Sequence, residues 1–103
     1  MLFLQFECSP QEGSKPAEKF GGAIVNCWID KSSLPEAEAL ARQVIRDADW
    51  HVTSFDAAYP ITEADFADGH SPEGFARFEQ AAADGDCYEF HTYPVGASNH
   101  DAN

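Results

Sequence analysis

The chain opens with an alternation of apolar and polar positions. "LFLQFEC" sets Leu2, Leu4, Phe6 and Cys8 against Phe3, Gln5 and Glu7, the period-two pattern of a half-buried strand. "SPQEGSKPAEKFGG" breaks that pattern with two prolines and three glycines and predicts a long loop over residues 9–22. "AIVNCWID" reads as apolar on both faces, with Val25, Cys27 and Ile29 against Ile24, Asn26 and Trp28, which suggests a central strand. The period then changes. In "SSLPEAEALARQVIRDA" the residues Ala37, Leu40, Ala41, Val44, Ile45 and Ala48 recur at helical spacing and predict a helix over residues 33–48. Ser33 and Glu36 make a capping-box pattern at its start, and Glu38 precedes Arg42 by one turn in the favourable order. "WHVTSFDAAYPI" is rich in β-branched and aromatic residues and predicts a strand over residues 50–61. Ser71 and Pro72 start a second helix over residues 72–84, with Phe75, Phe78 and Ala82 as its stripe and Gly85 as its stop. "CYEFHTY" is the last strand: Tyr88, Phe90 and Thr92 take one face, and Glu89, His91 and Tyr93 the other.

The predicted order is strand, strand, helix, strand, helix, strand. Residues 24–29 and 50–61, joined by a helix, are expected to lie parallel through a right-handed crossover. Two helices with one apolar stripe each are expected to cover one face of the sheet. The fold class is therefore α+β: a four-stranded mixed sheet with two helices on one face, over a single domain of residues 1–94. Residues 95–103, "VGASNHDAN", largely small and polar, are expected to be a disordered tail. The succession of "AIVNCWID", "LPEAEALARQVIRDA", "WHVTSFDAAYPI", "PEGFARFEQAAAD" and "CYEFHTY" resembles the ferredoxin-like α/β-plait, as found in small bacterial domains of unknown function. The likeness spans residues 2–93 and departs from the family in one respect. The usual plait has two strands between its helices, whereas residues 50–61 contain no turn that would divide them, so a rearranged strand order stays open. A likeness at the level of the fold carries no catalytic residue with it.

Charge changes the range of partners. The chain of 103 residues carries 18 acidic and 6 basic residues, a net charge of −12, alongside 44% hydrophobic residues. That apolar content supports a core, and the charge repels phosphate backbones and anionic membrane surfaces, so neither nucleic acid nor membrane is an expected partner. "MLFLQF" is too short for an export or membrane segment and meets Glu7 at once. Cys8, Cys27 and Cys87 are odd in number and widely spaced, and are expected as reduced thiols in a cytoplasmic protein.

Three groups of residues raise the question of chemistry. Cys27 with His91 as base would make a nucleophile, but a mid-strand thiol in acidic surroundings reads as a buried structural cysteine. Asp65, Asp68, His70 and Glu73 are close in sequence without the spacing of a calcium loop or a zinc site, so no metal is assigned. Glu89 and His91, joined by His51 from another strand, pair imidazole with carboxylate, an arrangement that an exposed sheet face also carries for no functional reason. The aromatic content of that face weighs more. Phe3, Trp28, Phe55, Glu89, His91 and Tyr93 are the expected interface or ligand face, left uncovered if both helices take the other side. The expectation is a non-catalytic interaction or assembly domain that pairs as a homodimer or with another protein, with no catalytic residue and no cofactor. The alternative is an enzyme that binds a small molecule or a metal around His91 and Trp28.

Overall fold

The computed structural model describes residues 1–67, 69 and 71–95. Four strands, β1 (Leu2–Pro10), β2 (Phe20–Ile29), β3 (Trp50–Pro60) and β4 (Asp86–Pro94), form one sheet in the order β3-β1-β2-β4. The helices are α1 (Lys15–Lys19), α2 (Leu34–Asp47) and α3 (Pro72–Asp84), with a 3-10 turn at Glu63–Phe66. The α+β class and the four strands agree with the sequence expectation; the mixed sheet does not. Every neighbouring pair is antiparallel. β2 and β3 do run in the same direction, but β1 lies between them and pairs antiparallel with both. The physical reason is burial: in the centre, Leu4, Phe6 and Cys8 are at most 1% exposed.

The helices do not share a face, which corrects the second expectation. α2 packs over Leu4, Phe6, Val25 and Cys27 through Ala37, Ala41 and Ile45, all fully buried. α3 belongs to a second cluster on the opposite face, where Ala81 and Phe78 meet Trp28, Phe3 and Cys87. The strand order accommodates this. The connection from β3 to β4 runs from one edge of the sheet to the other, and α2 already occupies the first face. A helix is about 10–12 Å across and four strands span roughly 14 Å or more between outer backbones, so one helix per face leaves part of each face bare.

Local signals explain most element ends. Glu38 and Arg42 meet at 2.8 Å, as the spacing predicts. The Ser33 hydroxyl makes no capping bond; Pro35, near the start of the helix, removes one of the amides that such a side chain reaches. The capping box forms instead at Thr62 with Asp65. Ser71 accepts the Gly74 amide at 3.3 Å and starts α3. Gly85 ends α3 at φ 98°, a left-handed conformation that glycine adopts without strain. The α3 stripe is turned from the expected one: Ala81 is buried and Ala82 exposed. The expected loop over residues 9–22 is largely structured, since β1 extends to Pro10, α1 occupies its middle and β2 begins at Phe20. Of the expected tail over 95–103, Val95 is in a turn and residues 96–103 lie outside the described residues.

Candidate functional site

The face beneath α3 carries five of the six residues expected at a site. Phe3, Trp28, Glu89, His91 and Tyr93 share it, because Phe3 pairs with Trp28 and β4 follows β2 in register, with Asn26 opposite Glu89 and Ile24 opposite His91. Phe55 is on the other face. Its ring stacks on Phe6 at 4.8 Å, and the Arg42 guanidinium lies 5.8 Å from it. Two register shifts between β1 and β3 on either side of Phe55 made the phase of this strand unreadable by alternation.

Trp28 is not on an open surface. It is 6% exposed, closed in by Ile61, Phe66, Phe78 and Ala81. Phe3 stands edge-on to it at 5.3 Å and lies against Tyr59 at 5.1 Å. Gln11, after β1, reaches away from this face, to the Arg46 carbonyl in the last turn of α2 and the Trp50 carbonyl at the start of β3. Below the first turn of α3 a groove of about 250 Å³ remains, lined by Phe3, Asn26, Trp28, Ser71, Arg77 and Glu89. It adjoins a hollow of about 360 Å³ that shares Phe3, Trp28 and Ser71 and adds Tyr59 and Phe66. A cleft of about 520 Å³ lies beside α2, with Arg42, Arg46, Gln11 and His51 in its lining.

Beyond the groove the face is polar. The Arg77 Nη2 donates to Glu89 at 3.2 Å, and the other Glu89 oxygen meets the His91 Nε2 at 2.5 Å. Gln5 donates to Asn26 at 2.9 Å across the central pair. Tyr93 lies flat on the backbone of Gly22, where a Cβ would overlap its ring. Burial raises the Tyr93 hydroxyl above its ordinary pKa, with Glu7 and Cys8 adding to the effect. The sequence reading missed the Arg77–Glu89 contact and the Tyr93–Gly22 contact. The first joins a helix to a strand and leaves no trace in spacing; the second has one, a glycine inside a strand, which signals close approach.

The other groupings come apart. Cys27 sits with Leu4 and Val25 under α2, on the opposite face from His91. Burial pushes its thiol well above the ordinary range, and burial with nearby Asp56 and Glu7 carries Cys8 to about 12. His51 pairs with Ser9 at the β3 edge, three strand spacings, or about 14 Å, from β4. Asp68 and His70 lie outside the described residues; among the described residues no three His, Cys, Asp or Glu side chains are grouped to hold a metal ion. Among the described residues, no helix is long and apolar enough to cross a membrane. The chain matches no protein-family model, no curated protein and no solved structure.

Proposed function

We propose that this chain is a non-catalytic interaction domain that assembles with a second copy of itself through the part of the sheet that its helices leave bare. One observation carries the reading. α2 and α3 cover opposite faces, and the β4 side retains half-buried or exposed Tyr88, Phe90, Glu89, His91 and Tyr93 beside an edge that pairs with no further strand among the described residues. Aromatic rings flanked by a carboxylate and an imidazole on an incompletely covered strand are what a protein contact uses. The Cys8 and Cys27 thiols, both raised by burial, are sealed in the core, which suits packing rather than nucleophilic chemistry. Sedimentation over a concentration series tests the reading. The expected result is a monomer–dimer equilibrium that tightens as salt screens the repulsion between two acidic chains. A mass that stays monomeric at the highest soluble concentration refutes it.

The groove beside Trp28 favours a second reading, in which a small ligand with an aromatic or aliphatic body enters between Phe3 and the start of α3. A ligand-induced rise in melting temperature that Phe3→Ala abolishes would support it.

A further inference from the structure

The two edges of this sheet are built differently. β3 carries two register shifts against β1, and at one of them the unpaired Asp56 is exposed, with the Ser54 hydroxyl donating to it. Bulges and charges of this kind blunt an edge against pairing with another strand. β4 also carries charge, at Asp86 and Glu89, but has no bulge between Asp86 and Tyr93. It is in unbroken register with β2 from Tyr93 to Asp86, contains no lysine, and its one proline is its last residue, Pro94. Among the described residues β4 pairs with β2 alone, so alternate amides and carbonyls along the strand point away from the sheet.

The side chains on β4 are complementary to themselves. Antiparallel pairing of two identical strands, with the two-fold axis at Phe90, sets Glu89 of each copy opposite His91 of the other. Each carboxylate, an acceptor, then faces an imidazole that donates. On the other face Phe90 meets its own counterpart, and Tyr88 meets Thr92. An axis one residue earlier would place Glu89 against Glu89, and an axis one residue later His91 against His91, both like with like. Within one chain Arg77 holds one Glu89 oxygen and the chain's own His91 meets the other at 2.5 Å, so pairing across the axis exchanges that contact for the same contact between copies.

We infer that the partner is a second copy of this chain, added edge to edge through β4 with its two-fold axis at Phe90, forming a continuous eight-stranded sheet. This rests on the self-association proposed above and adds the edge and the register. The experiment compares wild type, His91→Glu, His91→Lys and Ala39→Glu by sedimentation and by amide exchange at two protein concentrations. His91 is 57% exposed at its side chain, so both of its variants are expected to fold, which circular dichroism checks. His91→Glu sets two like-charge pairs across the axis and is expected to weaken the dimer at least tenfold. His91→Lys keeps each pair attractive and is expected to dimerise no more weakly than wild type. Ala39→Glu, on the exposed side of α2, matches the charge of His91→Glu and is expected to behave as wild type. Amides of residues 87–93 gain protection with concentration, and those of 51–59 do not. A wild-type dimer whose two His91 variants behave alike, or whose protection falls on β3, overturns the edge and the register while leaving self-association standing. A monomeric wild type overturns both.

Discussion

Replacing Trp28 by alanine separates a core residue from an interface residue. Its ring is 6% exposed and packs against Ile61, Ala81 and Cys87, with Phe3 edge-on at 5.3 Å. A buried indole removes roughly 200 Å² from water, and at about 25 cal/mol per Å² this is worth about 5 kcal/mol. The carbon that alanine retains and the partial burial of an unfolded chain reduce the expected loss to about 3–4 kcal/mol, within the range for large-to-small core substitutions. For a domain near this size that loss lowers the melting temperature by on the order of 15–20 °C. Trp50 remains as the fluorescent reporter. It is 5% exposed on the other face, against Phe20 and Phe90, and becomes wet only on unfolding. Urea titrations followed by Trp50 emission, paired with sedimentation, give both stability and mass. A loss below about 1 kcal/mol together with a change in mass would mean that Trp28 faces a partner, and the packing argument would be wrong.

Other outcomes follow from particular contacts. The Cys8 thiol, carried to about 12 by burial, and the Cys27 thiol, raised further, keep their protons in the folded state at a pH where the unfolded chain releases them above 9. Stability is therefore complete below pH 9 and falls as pH rises toward 12, so the urea midpoint should drop between pH 8 and 10.5; a flat or rising midpoint contradicts this. The same burial makes both thiols slow to alkylate at neutral pH until the protein unfolds, and rapid labelling of native Cys27 would refute it. Gly22→Ala displaces the Tyr93 ring and should cost about 1–2 kcal/mol in wild type but little in a Tyr93→Ala background; additive effects in that double-mutant cycle would show the two do not touch. Gly85→Ala forces a side chain into φ 98° with open space around it, so the cost is backbone strain alone, about 1–2 kcal/mol, and Gly85→Asn should cost less. Equal melting temperatures for all three proteins would remove the strain argument.

The sequence by itself determined the elements, because their causes are local. Alternation placed Leu4, Phe6 and Cys8 on one side of β1, helical spacing placed Ala37, Ala41 and Ile45 on one side of α2, and Gly85 stopped α3. It also brought Phe3, Trp28, Glu89, His91 and Tyr93 to a common face, since a period of two carries through each strand whatever its neighbour. Phe55 escaped that logic because two shifts in β3 reset the phase. What the tertiary structure alone decided was which strand lies beside which, and what covers the shared face. Strand order depends on pairings between residues as distant as Phe6 and Phe55, and no local preference encodes them. With β1 between β2 and β3 and α2 on one face, the segment from β3 to β4 packs on the other. That route lays α3 over Trp28, turns an expected surface into core, and leaves the bare region at the β4 edge.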